Sequence, residues 1–224
     1  TGTVGVNDGS GASCTATLSG GSGSCDLTSS SAGSKTLTAS YSGDANYNAS
    51  SDIETHTVAT SASTTTITSD SPEPSFVGQS YIVAVTVAGS YGAPTGTVGI
   101  SDGSATCTAT LSGSGTGSCS LTSTTTGEKT LTANYSGDGV YNTSTGTATH
   151  NVNKSGSNTA IISDTPDPSY VGQSYLVSVN VTGSYGLAAG TVNIADGSGA
   201  TCSITLADGS GSCSLTSTSA GTKT

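Results

Sequence analysis

An all-β chain of tandem β-sandwiches is what the sequence predicts, and three observations predict it. Apolar residues come in short runs rich in β-branched side chains, such as YIVAVTV and YLVSVNV, bounded by Gly, Pro, Ser and Asp. Strands between turns read this way. No long window carries the 3.6-residue periodicity of a helix. The sequence also repeats itself at one fixed offset. Tyr41-Ser-Gly-Asp44 returns as Tyr135-Ser-Gly-Asp138, His56 as His150, and the segment from Asp70 to Tyr81 as the segment from Asp164 to Tyr175, each 94 residues on (138 − 44). A unit of that length suits one small all-β domain and is too long for a solenoid turn. In this frame residues 1–60 are the back part of a first repeat, 61–154 a complete second repeat and 155–224 the front part of a third. The chain then starts and stops inside a unit. Neighbouring material, from a longer continuous chain or an adjacent one, is expected to complete the outer repeats, making this an excerpt of a filament or long multidomain protein.

The complete repeat holds seven strand candidates. The first, 65–69, ends at the kink of Pro72 and Pro74. The second, 81–87, places Tyr81, Val83, Val85 and Val87 on one face, and in the next copy the opposite face reads Leu176, Ser178, Asn180 and Thr182. One buried and one wetter face is the pattern of a sandwich strand. The third, 96–101, has Val98 and Ile100 inward and stops at Asp102-Gly103, a dipeptide suited to a tight hairpin turn. The others are 106–111, 118–123, 129–136 and 145–152. About seven short strands with Gly/Asp turns suggest immunoglobulin-like β-sandwich domains. With one Phe and no Trp or Met, their cores are lean.

Each repeat carries one cysteine pair, in CTATLSGGSGSC, CTATLSGSGTGSC and CSITLADGSGSC. Cys107 shares strand parity with Ala109 and Leu111, and Cys119 with Leu121, so both sulfurs point where the core residues point. The Gly/Ser-rich segment between them reads as a hairpin loop that lets the fourth and fifth strands pair. The expectation is three disulfides, Cys14–Cys25, Cys107–Cys119 and Cys202–Cys213. Closing so short a loop is worth about 3 kcal/mol in the chain-entropy model, and it implies an oxidising compartment. Zinc or redox chemistry would need CxxC spacing or a nearby His, and neither is present.

The formal charge of −10, with four scattered lysines and no arginine, excludes the clustered positive charge that nucleic acid or an anionic membrane requires. No apolar run approaches the ~20 residues of a membrane span. No starting Met or signal-peptide pattern is present, and any targeting signal is expected to lie outside this segment.

The stretches TSDSPEPSFVGQSYIVAVTV and TGTVGISDGS…CTATL…GSCSLTSTTTGEKTLTANYSGDGVYNTSTGTATHNV resemble the bacterial Ig-like (Big) domains of secreted and cell-surface proteins, and Y-S-G-D-x-x-Y is the most specific part of the match. The resemblance spans the whole chain as one complete and two partial copies. It implies an extracellular sandwich serving as a spacer, stalk or adhesin module, with no catalytic residues to carry over. The buried Trp and inter-sheet disulfide of antibody-type domains are missing, so antigen-receptor biology is not implied.

Several residues invite chemistry. Asp8, Asp102 and Asp196, each before a Gly, fit either calcium loops or hairpin turns, and the turn alone accounts for them. Asp44 and Asn46 suggest a metal loop that the copy at Asp138 does not keep. Asp70, Glu73, Asp164 and Asp167 recur near a domain entrance and are the residues that could take Ca²⁺ against an ordinary Pro-rich bend. No other cofactor is expected. His56 and His150 lie close to the joints, but Glu54 becomes Ala148 in the copy, which leaves no repeated catalytic partner. Tyr47, Tyr91, Tyr141 and Tyr185 fall near loops, as glycan or protein contacts or as loop packing. The near-identity of Ser-Tyr-Gly at 90–92 and 184–186 favours packing, because binding loops would diverge.

Together these features predict a non-enzymatic, extracellular or cell-surface structural protein. Its tandem repeats would form a stalk or filament projecting from a bacterial cell, with self-association or neighbouring repeats of the same chain as partners. The alternative is an adhesin whose loops contact a glycan or host protein.

Overall fold

The computed structural model describes residues 1–223 and contains strands, turns and irregular segments without helix among them. They fall into two compact units. One comprises Thr1–Ser71, Ile82–Leu121 and Thr130–Thr149, the other Pro72–Tyr81, Thr122–Lys129 and His150–Thr224.

The first unit opens with β1 (Thr3–Asn7), β2 (Ser13–Thr17), β3 (Gly33–Tyr41) and β4 (Ser50–Val58), an antiparallel sheet in the order β2-β1-β3-β4. Next come β5 (Ser63–Ser71), β6 (Ser75–Phe76), β7 (Ser80–Gly89), β8 (Thr97–Ser101), β9 (Thr106–Thr110), β10 (Thr116–Thr122), β11 (Gly127–Tyr135) and β12 (Ser144–Asn153). They form two sheets, β10-β7-β5 and β6-β12-β11-β8-β9. The strand ends beyond the first unit's limits, and all of β6, belong to the second unit. The first unit's core is the alternating face of these strands: Val83, Val85 and Val87 from β7, Val98 and Ile100 from β8, Ala109 from β9, Leu121 from β10, and Leu131, Ala133 and Tyr135 from β11, all at most 2% exposed. These side chains leave water on folding at roughly 25 cal/mol per Å² of apolar area, the main favourable term for a sandwich this small.

The second unit holds β13 (Ser157–Thr165), β14 (Ser174–Gly183), β15 (Gly190–Ala195), β16 (Thr201–Leu206) and β17 (Ser210–Thr216), arranged as β13-β14-β17 and β15-β16. Val177, Val179, Val181, Ile204 and Leu215 make its apolar interior. It also contains β6, which runs parallel to the end of β12 with Ser75 opposite Val152.

All seven strands expected in the complete repeat are present, and β6 is an eighth that two residues were too few to announce. The structure corrects the expected pairing of the fourth and fifth strands. β9 and β10 are not ladder neighbours but belong to different sheets, as do β16 and β17. The glycine-rich segment between them therefore crosses from sheet to sheet.

Candidate functional site

Three constellations carry the chain's chemistry, and the cysteines are the first. Cys14–Cys25, Cys107–Cys119 and Cys202–Cys213 are joined, with Cα–Cα separations of 6.0, 5.9 and 6.1 Å. Since β9 and β10 sit in opposite sheets, the Cys107–Cys119 bond ties sheet to sheet, and the core side chains Ala109 and Leu121 lie two residues from each sulfur.

The second is the set of buried aspartates. Asp8, Asp102 and Asp196 are all buried. Asp8 accepts hydrogen bonds from Ser10 N (2.8 Å), Ser10 Oγ (2.7 Å), Ala12 N (3.0 Å) and Ser29 Oγ (2.7 Å). Asp102 accepts from the backbone of Ser104 and Ala105 at 2.8 and 2.6 Å. Asp196 accepts from Ser198 N and Ala200 N at 2.9 and 3.2 Å and from Ser217 Oγ at 2.5 Å. The Ser10 and Ser29 hydroxyls, followed by the Ser10 N–H, hold the Asp8 carboxyl well below the usual carboxylate range, against burial. The Ser217 hydroxyl and the Ser198 N–H lower Asp196 to about 2. These carboxylates cap their own turns, and Asp8 and Asp196 also tie the turn to Ser29 and Ser217, each 21 residues on.

Y-S-G-D-x-x-Y is built on the same principle. Burial pushes Asp138 up, but the N–H groups of Thr95, Val140 and Tyr141 outweigh it and hold the carboxyl well below its ordinary value. Their hydrogen bonds are 2.9, 2.8 and 2.8 Å long. Tyr135, pushed up to about 12 by burial and by Asp138, donates its hydroxyl to the Thr95 carbonyl at 2.9 Å. Tyr141 is buried, and its hydroxyl donates to Gly92 O (2.7 Å) while accepting from Tyr91 N (2.6 Å), which pins the Ser-Tyr-Gly loop. In the first copy Asp44 accepts from Asn46 N and Tyr47 N at 2.8 and 3.0 Å. The loop that suggested a metal is thus closed by its own backbone.

The third constellation is the one sequence reasoning missed. In the second unit His150 and Ser75 are both 0% exposed. His150 Nδ1 lies 2.5 Å from a Glu73 carboxylate oxygen and its Nε2 lies 2.7 Å from Ser75 Oγ. The imidazole stacks on Tyr81 with ring centroids 3.8 Å apart and 12° between planes. Tyr81 Oη in turn lies 3.2 Å from Ser123 Oγ. Glu73 also accepts from Asn151 N at 3.0 Å and Asn151 Nδ2 at 2.9 Å. Acid, histidine and serine stand in the order of a nucleophilic triad. The serine, however, is sealed inside the sandwich with no room for a substrate. Strand parity placed His150 beside Val152, yet nothing in the sequence joined it to residues 75 and 77 positions upstream. Its copy His56 is exposed and lines an apolar cleft of about 690 Å³ with Leu27, Leu37, Val58 and Tyr91.

The remaining calcium candidates are Asp70, Asp164 and Asp167. Asp70 is the penultimate residue of β5 and is half-buried, while Asp164 and Asp167 are exposed and border a cleft with Tyr170 and Tyr175.

A family profile described as bacterial Ig-like domain (group 3) matches residues 1–68 and 67–153 as two adjacent copies. No curated protein sequence matches the chain. Among solved structures, the tetra-tandem repeat in the extending region of a large adhesion protein aligns over 97% of this chain and 58% of its own length, at 19% identity and a TM-score of 0.51. Invasin, a bacterial integrin-binding protein, aligns over 97% of this chain and 48% of its own at 18% identity and TM-score 0.45. A Ca²⁺-stabilised adhesin with which an Antarctic bacterium binds ice aligns over 96% and 57% at 19% identity and TM-score 0.34. The chain thus spans about half of the length of these structures. The first supports the tandem sandwich fold, and the other two are too distant to add to it.

Proposed function

The chain belongs to the bacterial Ig-like domain (group 3) family, and on that premise we propose that it is a non-enzymatic segment of an extracellular stalk or filament. Its repeats serve as spacers that project another part of the protein from a bacterial cell. One observation carries this reading: the chemically loaded groups that are buried are spent on holding a sandwich. The disulfides of the second and third repeats span sheets, the buried aspartates close turns, Tyr141 pins a loop, and the buried histidine fastens β6 to β12. The repeat frame 1–60, 61–154 and 155–224 is the domain division that goes with it, and the joints are short. At the first joint Ser61 donates to Val140 O at 2.7 Å and accepts from Asn142 N at 2.8 Å, so this polar connection is itself hydrogen-bonded. The disulfides are compatible with an oxidising, extracellular location.

The adhesin alternative draws on exposed loop tyrosines, Tyr47 and Tyr91. Residues 1–224, probed against a panel of immobilised glycans and host-surface proteins, separate the two readings. A spacer gives no saturable binding. A saturable interaction tighter than about 100 μM that disappears in Tyr91→Ala would replace the stalk reading with the adhesin one.

A further inference from the structure

Phe76 and Tyr185 stack with ring centroids 6.0 Å apart and 17° between planes. They come from different repeats, Phe76 from the end of β6 in the second, where the turn begins, and Tyr185 from the Ser-Tyr-Gly loop of the third. Gly78 completes the contact, since a Cβ there would sit 3.5 Å from Tyr185 Cβ. We infer that the aromatic-Val-Gly turn is a socket for the Ser-Tyr-Gly loop of the adjoining repeat, and that this stack is the specific element joining the second repeat to the third.

Two comparisons within the chain support the inference. The socket is preformed. In the second repeat Phe76 N donates to Gln79 Oε1 at 3.0 Å and Gly78 N to Ser123 O at 3.0 Å. In the third, Tyr170 N donates to Gln173 Oε1 at 2.9 Å and Gly172 N to Ser217 O at 3.0 Å. Gly78 and Gly172 both take a left-handed φ, 81° and 79°. The turn is therefore the same whether its aromatic is stacked, as Phe76 is at 36% exposure, or open to water, as Tyr170 is at 82%. The inserting loop is shared as well. Tyr91, which matches Tyr185 at the repeat offset, lines the first unit's cleft together with Leu27, Val58 and Ala59 of the first repeat. At both joints the loop tyrosine thus faces the preceding repeat. Phe and Tyr at the socket position are interchangeable for stacking, and an aromatic pair gains from offset geometry beyond the area it buries.

This rests on the array reading, but its test does not depend on that reading. Bioorthogonal dyes placed at Thr124 and Thr205, both exposed, report the docked and undocked populations of the intact chain by single-molecule energy transfer. Phe76→Ala and Tyr185→Ala are expected to raise the undocked fraction roughly two- to tenfold, the scale of one aromatic pair, while Phe76→Tyr leaves it at the wild-type level. Tyr185→Ser carries the test if Phe76→Ala loosens the turn itself. Distributions in the Tyr185 variants that superimpose on wild type would overturn the inference. A glycan-binding result would remove the stalk reading and leave this measurement as it stands.

Discussion

His150 Nδ1 lies 2.5 Å from Glu73 while its Nε2 lies 2.7 Å from Ser75 Oγ, so one buried ring bridges the turn after β5 and the short strand β6. Removing the ring leaves a buried hydroxyl without this partner, a half-buried carboxylate without its imidazole, and Tyr81 without its stacking surface. His150→Ala is expected to destabilise the repeat by about 2–4 kcal/mol, the scale of a broken buried network. Ser75→Ala, which deletes one bond and little volume, is expected to cost about 1 kcal/mol. Chemical denaturation of both variants measures this, and equal midpoints for His150→Ala and wild type would mean that the bridge contributes nothing.

Reduction of Cys107–Cys119 removes a tie between opposite sheets. The loop it closes, with sequence separation 12, is worth about 3 kcal/mol in the chain-entropy model, or roughly 10–20 °C of melting temperature for a domain of this size. The β-type circular dichroism at 25 °C should survive, because the β7, β8 and β11 core does not depend on the sulfurs. An unchanged melting temperature under reductant would contradict the role assigned to the staple.

Calcium is expected to shift the melting temperature little. Both Glu73 oxygens accept from Asn151 N, at 3.0 and 3.1 Å, and one of them also faces His150, so its lone pairs are already used. Asp164 and Asp167 are exposed, and an isolated exposed carboxylate pair falls short of the six to eight oxygens Ca²⁺ takes. A large gain in melting temperature that chelator reverses, and that Asp164→Asn or Asp167→Asn abolishes, would show otherwise.

The parts of this structure legible in the sequence are those that depend on period and parity. Tyr81, Val83, Val85 and Val87 alternate in sequence and all lie at most 1% exposed. The aspartate-glycine pairs read as turns because the dipeptide's local chemistry suffices to make one. The rest depends on long-range placement. Parity shows that Cys107 and Cys119 point inward but not which sheet each strand joins, and that is decided by the neighbours β8 and β7. β6 has two residues, too few for any period. The His150 bridge joins groups more than 70 positions apart, and single-sequence patterns carry no signal for such a contact.

Gly89, at the end of β7, is expected to tolerate no side chain. A Cβ there would fall 2.0 Å from the nearest Tyr141 ring carbon. The ring is buried and held at its hydroxyl by both Tyr91 N and Gly92 O, so it has nowhere to retreat. Gly89→Ala should destabilise the repeat by about 2–3 kcal/mol through overpacking and free the Ser-Tyr-Gly loop. The double variant Gly89→Ala/Tyr141→Leu separates the two effects: if the clash is the cause, adding Gly89→Ala to Tyr141→Leu costs less than adding it to wild type.

Acid should unfold the third repeat through Asp196. Its folded-state value is depressed to about 2 from an ordinary 3.8, first by the Ser217 hydroxyl and then by the Ser198 N–H. A carboxyl depressed in the folded state binds fewer protons there than in the unfolded chain, so folding gains from it above the ordinary value and loses that gain as pH falls. The contribution of Asp196 is therefore complete at pH 5 and above, and disappears between roughly pH 4 and pH 2. Asp8 and Asp138, held below the carboxylate range by the same kind of donors, act in the same direction in the first unit. Denaturation midpoints followed from pH 7 downward should stay level to about pH 4 and then drop. In Asp196→Asn the plateau should be lower, because an amide accepts these hydrogen bonds more weakly, and the acid drop of the third repeat should shrink, because the group that titrates is gone. An acid limb of the same depth in Asp196→Asn would place the titration elsewhere and leave the Ser217–Asp196 hydrogen bond without a measurable part in acid stability.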